Sequence, residues 1–332
     1  MKHVDFYGKR YIFFALSAAL MLITLIASLP FVLGVSLDIQ FKGGSVLKYY
    51  HDTTIDLDKA ASVAATSTGT NVTALDASDT ASGKRILTLN IAGDTALTVD
   101  QQKTLVADLI KAFPDQNIVL SEANVVAPFL GREYLMRGIL AVALASLMII
   151  LYVAFRFKTI GGFSAGIFGV VALLHDCVLV FGVFVLLRIP VNDSLIAVIL
   201  TILGYSINDT IVVYDRYREN YRLTGGKMPL PELMNLSINQ TLARTINTTM
   251  TVFVSITIVY VFATIYNLSS IRDFALPMMI GVISGAYSTI FIAGTSWVMW
   301  KTRKGEHLAP MAPPPPAPAA VSSKSKSAKA KA

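Results

Sequence analysis

Six apolar stretches, each long enough to cross a lipid bilayer, are the feature of this 332-residue sequence that most limits its fold. A hydrocarbon core about 30 Å thick needs roughly 20 helical residues to span it. The stretches cover residues 12–35, 136–155, 162–187, 191–213, 245–265 and 274–300. Charged residues make up only 15% of the chain and hydrophobic residues 54%, which is too little charge for a typical soluble domain. The sequence therefore predicts an α-helical polytopic membrane protein with six transmembrane helices.

Basic residues mark alternate ends of these stretches and so predict the orientation of the chain. Residues 1–11, the second-to-third and fourth-to-fifth connections and residues 301–332 are rich in lysine and arginine, whereas the two short connections on the other side carry one arginine each. Because cytoplasmic loops are the basic ones, we expect both termini in the cytoplasm and residues 36–131 outside. The net charge of +7 is thus a signal of topology, and we expect no nucleic-acid partner.

The first and last segments each leave an alternative open. The basic residues before residue 12 would also suit a cleaved signal peptide, but the apolar run is longer than usual and its loss would leave five spans, so we expect it to remain. Residues 301–332 hold many prolines and lysines with few apolar side chains, which predicts a disordered cationic tail. We expect this tail to contact anionic membrane lipid rather than a ribosome-like surface.

Residues 36–131 differ from the rest because short apolar runs alternate there with polar residues. Strands are predicted at 45–50, 72–76, 84–91 and 118–125, and helices at 56–66 and 98–113. This βαββαβ order predicts a periplasmic α+β domain of the ferredoxin-like type. His51 is its single histidine and Cys177 the single cysteine of the chain, so we expect no enzyme active site, no metal site and no cofactor. The domain is expected to bind or dock.

Polar residues follow one face of two neighbouring apolar stretches. In the fourth, Tyr205 and Asp209 are four residues apart, with Asn208 beside them; in the fifth, Arg244 and Thr248 show the same spacing. Thr201 extends the first series, and Thr251 and Ser255 extend the second. Residues four apart share a helix face. Since polar groups are costly in lipid, we expect the two series to face each other or a wet groove.

Asp209 and Arg244 allow three interpretations at this stage. A dry setting would favour the protonated form of Asp209 while Arg244 would favour the ionised form, and these opposed effects could make a proton switch. The same two residues could instead form a static ion pair. In the third interpretation, the two side chains snorkel, so that each extends its charged end to the membrane–water interface.

His175 and Asp176 lie next to each other in the middle of the third stretch. Adjacent helical residues point about 100° apart, so the two side chains cannot both face one partner squarely. We expect His175 to bond a neighbouring helix and Asp176 to belong to a buried polar network, with a proton relay as the alternative. The small-residue pairs Gly162/Gly166 and Gly281/Gly285 predict close contacts between helices.

Four sequence segments together resemble the SecD/SecF family, a part of the bacterial and archaeal protein-export machinery within the RND superfamily of transporters. The longest is 204–216, with the sequence GYSINDTIVVYDR; the others are LLHD at 173–176, QTLART at 240–245 and FKGG at 41–44. They occur in the family's order and the resemblance covers most of residues 30–300. Gln40 departs from the family's usual aspartate, which leaves the chemistry of the turn at Gly43 and Gly44 open.

The resemblance implies a SecF-type subunit of the bacterial inner membrane. It implies a heterodimer with SecD, a place beside the SecYEG channel with a YajC-like accessory subunit, and use of the proton-motive force to move polypeptides across the membrane. Asp209 and Arg244 fall where the family has its proton-pathway residues, with Asn208, Tyr205, His175, Asp176 and Thr248 as supporting polar groups. The small size of the outside domain favours the SecF branch over the SecD branch.

Two other functions remain open from the sequence. The chain could be a scaffold or periplasmic chaperone whose helices only anchor the outside domain. It could also be a small-solute exporter of the RND type, although a domain of this size leaves little room for a wide substrate cavity.

Overall fold

Six helices long and apolar enough to cross a membrane occur in the computed structural model, which describes residues 4–38, 41, 43–78, 85–91, 97–126, 128–266 and 268–305. The α-helices of the described residues are α1 (Arg10–Ala27), α2 (Leu57–Thr68), α3 (Val99–Ala112), α4 (Pro128–Arg156), α5 (Gly162–Leu186), α6 (Asp193–Leu223), α7 (Leu230–Ile265), α8 (Ser269–Ser288) and α9 (Gly294–Arg303). The first five spans are α1, α4, α5, α6 and α7. A π-helical turn, Thr289–Ala293, joins α8 to α9, and together these make the sixth span. The predictions for Gln40 and for residues 306–332 lie outside the described residues.

The spans divide into a buried centre and an exposed periphery. In their most apolar windows, 56% of α5 is buried, 44% of α6 and 61% of the sixth span, against 6% of α7. Rings of Tyr214 and Tyr217 on α6 pack against Trp297 on α9, with ring centroids 5.5 and 5.2 Å apart. The centre of the bundle is therefore built by α5, α6 and the sixth span, and α7 lies outside it.

Two helices continue well past the apolar stretches that predicted them. Helix α6 runs to Leu223, ten residues beyond the predicted end, and α7 begins at Leu230, fifteen residues before the predicted start. The added turns carry buried apolar residues such as Leu233, because here one helix face packs on protein while the other is polar. Hydropathy alone marks only the part of a helix that suits lipid.

The strands form one antiparallel sheet of ferredoxin-like type, as predicted. The strands are β1 (Gly44–His51), β2 (Val72–Ser78), β3 (Arg85–Ile91) and β4 (Val119–Val126), in the order β2-β3-β1-β4. Local signals start both helices: the Asp56 side chain accepts from Lys59 N, and Thr98 forms a capping box with Gln101. One face of the sheet packs against α2 and α3. The core between them contains Leu47, Tyr49, Leu87 and Leu89 from the strands and Leu105 and Leu109 from α3.

A glycine turn connects the sheet to the membrane helices. Gly43 and Gly44 have φ angles of 79° and 134°, a region that favours glycine. Just before them, Phe41 is buried among apolar residues of α5 and α6, including Phe184 and Leu195. A short stretch of backbone pairing also ties this segment to the α5–α6 connection, since Asp38 N donates to Val191 O at 3.0 Å. The two glycines thus let the chain leave the bundle and enter β1 at once.

Candidate functional site in the membrane helices

Asp209 is enclosed by the bundle but is not fully paired. Only 3% of its surface is exposed. Its Oδ2 atom has no hydrogen-bond partner within the described part of the chain. An enclosed carboxylate oxygen without a donor is unfavourable by roughly 1–3 kcal/mol or more. The side chain therefore requires either a proton or a donor from outside this chain.

Arg244 does not supply that donor here. It lies on the exposed side of α7, and across the described residues no ion pair of 4.0 Å or shorter joins it to Asp209. The static ion pair considered from the sequence is thus not formed in this chain. Simple reach to the interface does not fit Asp209 either, because a side chain that does so keeps its charged end in water.

The two polar series predicted on α6 and α7 do not hydrogen-bond to each other through the predicted residues. Asn208 and Thr201 are exposed on α6, and Thr251 and Ser255 are exposed on α7. The hydroxyls bond to their own helices: Thr248 Oγ1 donates to Arg244 O at 2.5 Å, Thr201 to Ala197 O, Thr251 to Asn247 O and Ser255 to Thr251 O. The result is a polar face on the outside of the bundle.

Tyr205 makes the side-chain hydrogen bond that connects these two helices near Asp209. Its hydroxyl donates to Thr249 Oγ1 at 3.3 Å. Thr249 was not predicted, because it lies one position away from the series that starts at Arg244. Beside Tyr205, a Cβ atom placed on Gly204 would have no other atom within 4 Å, so the surface at Gly204 is open.

Asp176, in contrast, is completely buried and saturated with donors. Its Oδ1 accepts from Ser284 Oγ at 2.6 Å, and its Oδ2 accepts from Ser206 Oγ at 3.0 Å and from Ser288 Oγ at 2.7 Å. The buried network predicted for Asp176 is present. The three serines that build it were not predicted, although Ser284 and Ser288 are spaced by four residues on the last span.

His175 also contacts the carboxyl group of Asp176. It is 4% exposed, and its Nδ1 lies 3.2 Å from Asp176 Oδ1. Its Nε2 atom has no partner among the described residues, and its ring lies 6.0 Å from the ring of Tyr287. If Nδ1 carries the proton and donates to Asp176, Nε2 is a lone pair, which is cheaper to leave unpaired than a donor. The hydrogen bond of His175 thus goes to the next residue of its own helix, and the bond to a neighbouring helix expected from the sequence is not formed among the described residues, because the ring turns its Nδ1 towards Asp176.

The structure sorts the two buried acids by their surroundings. Three serine hydroxyls and an imidazole surround Asp176, whereas Asp209 keeps one oxygen without a donor and is preceded on the exposed side of its helix by Asn208. Donors from two other helices hold the Asp176 carboxyl in one position. No group of three or more histidine, cysteine, aspartate or glutamate residues suited to a metal ion occurs in the described ranges.

Comparisons with known proteins agree with one another. A family model described as protein export membrane protein SecD/SecF, C-terminal, matches residues 106–303. The protein translocase subunit SecF of Alicyclobacillus acidocaldarius is 34% identical over 90% of this chain and 95% of its own length, and that of Petrotoga mobilis is 32% identical over 92% and 98%.

Longer relatives match this chain over part of their own length. The protein translocase subunit SecDF of Bacillus subtilis is 33% identical over 90% of this chain but only 38% of its own length. A crystal structure of SecDF from Thermus, described as a translocon-associated membrane protein, matches with a TM-score of 0.73 and 29% identity, over 91% of this chain and 39% of that one. The chain thus spans about two fifths of the fused proteins and almost all of the separate SecF subunits, and it belongs to the SecD/SecF family of protein export membrane proteins as a SecF-type subunit.

Proposed function

We propose that this chain works with SecD in the bacterial inner membrane to couple the proton-motive force to the translocation of polypeptides, with Asp209 and Arg244 in the proton pathway. The observation that carries the proposal is the enclosed but unpartnered Oδ2 of Asp209. An acid in this state gains from taking up a proton and from meeting a new donor, so its protonation is naturally linked to a change in its surroundings.

The exposed polar face of α6 and α7 supports a partner next to Asp209. Arg244, Asn208 and Thr251 are exposed there, in helices that are otherwise suited to lipid. Polar side chains in lipid are unfavourable, so a face of this kind favours a protein neighbour or a water-filled groove. SecD is the proposed neighbour, because fused SecDF relatives carry additional chain beyond the part that matches this one.

The available energy is sufficient for such coupling. One elementary charge that crosses 100 mV gains about 2.3 kcal/mol. Since about 1.4 kcal/mol corresponds to a tenfold change in an equilibrium, one proton can bias a conformational equilibrium roughly fifty-fold.

The substitution Asp209→Asn tests the proposal. It keeps the size of the side chain but removes the exchangeable proton. Export into membrane vesicles is measured with and without a proton gradient, and we expect the gradient to stop stimulating export in the variant. Asp215→Asn is the matched control, because Asp215 lies on the same helix but is half exposed and paired with Arg218 and Arg156. Equal stimulation in parent and Asp209→Asn would refute the proposal.

Further partners belong to the same proposal. We propose that both termini are cytoplasmic, that the sheet domain is periplasmic, and that the unit contacts the SecYEG channel, a YajC-like subunit, the translocating polypeptide and membrane lipid. Purification of the tagged chain from membranes should bring SecD and SecY with it.

A scaffold or chaperone is the competing function. It predicts that the sheet domain on one foreign membrane anchor restores export, and it gives the polar face around Asp209 no role.

A further inference from the structure

We propose that Asp176 is a positioning residue for Asp209: through Ser206 it fixes the rotation of α6 about its own axis and so decides which way the Asp209 carboxyl faces. The inference rests on the proposed function in one respect, since it takes Asp209 as the proton-carrying group. The contacts that carry it are independent of that role.

The first step is the bond between Asp176 and Ser206. A carboxylate only accepts hydrogen bonds, so the Ser206 hydroxyl has to donate to it, at 3.0 Å. Ser206 lies three residues before Asp209, which is a little less than one helical turn. Both Asp176 and Ser206 are buried, with 0% and 1% of their surfaces exposed. This bond therefore holds α6 to α5 within one turn of Asp209.

The second step is that the sixth span holds the same turn from the other side. Helix α8 approaches so closely that a Cβ atom on Gly285 would lie 3.0 Å from Ser206 Cβ. Ser284 and Ser288, one residue before and three after Gly285, donate to the same carboxylate of Asp176. In the π-helical turn that follows, Thr289 Oγ1 donates to Ser206 O at 3.3 Å. Asp176 is thus the common acceptor that holds three helices together.

The third step is the position of Asp209 at a boundary of burial. Asn208, the residue before it, is exposed, whereas Thr210, the residue after it, is buried. The Oγ1 atoms of Thr210 and Thr289 are 3.0 Å apart and share a hydrogen bond. Successive residues of a helix differ by about 100° in direction. A rotation of α6 by a fraction of that angle would move Asp209 between the bundle and the open polar face. The bond to Ser206 opposes that rotation.

Other titratable or charged groups on the helices packed around α6 could also influence the protonation of Asp209. They are His175, Asp176 and Cys177 on α5, Arg244 on α7 and Tyr287 on α8. Removing the Ser206 hydroxyl takes one donor from Asp176, and Ser284→Ala takes one donor from the same carboxylate, so an effect seen only in Ser206→Ala does not come from the loss of a donor to Asp176. A change in the behaviour of Asp209 would then be a consequence of its position.

The test compares two single hydroxyl deletions on the same carboxylate. Ser206→Ala removes the bond from Asp176 to α6, and Ser284→Ala removes its bond to α8. The probe is dicyclohexylcarbodiimide, which modifies protonated carboxyls in apolar surroundings, applied over a range of pH to membranes that contain the complete assembly. Modification of Asp209 is measured by mass spectrometry of the peptide that contains it, so the measurement does not depend on export.

We expect Ser206→Ala to shift the pH midpoint of Asp209 modification by about half a unit or more, the size that loss of one well-placed interaction produces, while Ser284→Ala leaves the midpoint in place. Equal midpoints in both variants, or equal shifts in both, would overturn the inference. If Ser206→Ala does not accumulate in membranes, Ser206→Cys keeps the size of the side chain but donates only weakly to Asp176, and it should shift the midpoint in the same direction.

The outcome separates this inference from the proposed function. If Asp209→Asn leaves gradient stimulation of export unchanged but Ser206→Ala shifts the midpoint, the proton-pathway role is wrong and the positioning role stands. If gradient stimulation is lost but the midpoint does not move, the positioning role is wrong and the proton-pathway role stands.

Discussion

Tyr205 donates its hydroxyl to Thr249 Oγ1 at 3.3 Å, so near Asp209 the helix that carries this acid is linked to the helix that carries Arg244 through two hydroxyls and not through the two charges. The charges stay apart, Asp209 enclosed and Arg244 on the surface. The acid and the base therefore do not pair with each other in this structure.

The Tyr205–Thr249 bond should add modestly to stability. Hydrogen bonds between membrane helices contribute about 0.6 kcal/mol on average, so Tyr205→Phe should lower the free energy of unfolding by about that amount. Thermal unfolding of the purified chain in lipid bicelles measures it. Thr251→Val is the control, because the Thr251 hydroxyl bonds to the backbone of its own helix. A loss as large in the control would show that the link between helices has no special role.

The open surface at Gly204 should be an interface with SecD. A Cβ at Gly204 meets nothing within 4 Å in this chain, so Gly204→Leu should leave its folding intact. If a partner helix packs there, the added side chain should prevent assembly. Co-purification of SecD with the tagged variant is the measurement, and Ala143→Leu, which adds the same side chain at an exposed position of the peripheral helix α4, is the control. Undiminished recovery of SecD would place the interface elsewhere.

Arg244 should act through its charge. Arg244→Gln should abolish stimulation of export by a proton gradient, whereas Arg244→Lys should retain part of it, because a lysine keeps the charge but not the planar donor set. Arg222→Gln, at the end of α6, is the control. Full stimulation in Arg244→Gln would exclude Arg244 from the pathway.

Substitution of Gly43 should reduce export by more than the accompanying loss of domain stability accounts for. At a φ of 79°, alanine costs about 1–2 kcal/mol, and the same holds for Gly69, whose φ is 69°. Both substitutions should lower the stability of the sheet domain similarly, as read by hydrogen exchange of the intact chain. Gly69 ends a helix inside the domain, whereas Gly43 joins the domain to the bundle, so only Gly43→Ala should reduce export markedly. Equal export by the two variants would contradict this.

The sheet domain should show a small, defined dependence on pH. Hydrogen bonds from Lys48, at 2.6 Å, and Asn124 hold the pKa of Glu122 below its ordinary value of 4.5. Because the pKa of Glu122 is lower in the folded state than in the unfolded state, its ionisation stabilises the folded domain at pH values above 4.5. This stabilisation is lost as the pH falls through the pKa of the folded state. Both side chains are partly exposed, so the effect is at most about 1 kcal/mol.

Glu122→Gln tests this dependence. Relative to the parent, its domain should be slightly less stable at pH 7, and the difference should become smaller as the pH falls below 4.5, as measured by hydrogen exchange of the β1 and β4 amides in the intact chain. The double variant with Lys48→Met should be no less stable than Glu122→Gln alone. A difference in stability that stays constant as the pH falls would assign the effect to packing and not to charge.

The sequence by itself determined the spans and the order of elements. An apolar run of 20 residues has few alternatives to a membrane helix, and Asp56 and Thr98 begin their helices by bonding to backbone only three residues away. Alternation of apolar residues likewise placed the strands whose pairing gives the ferredoxin-like sheet.

Tertiary structure alone decided which polar groups meet. Asp176 bonds to Ser206 and Ser288, which lie 30 and 112 residues away along the chain, and Thr249 meets Tyr205 across 44 residues. Periodicity shows which residues share a face of one helix, but not how that face is turned towards its neighbours, because packing of side chains from several helices sets each rotation. For the same reason the sequence marked Asp209 and Arg244 as a pair, while the fold encloses one and leaves the other exposed.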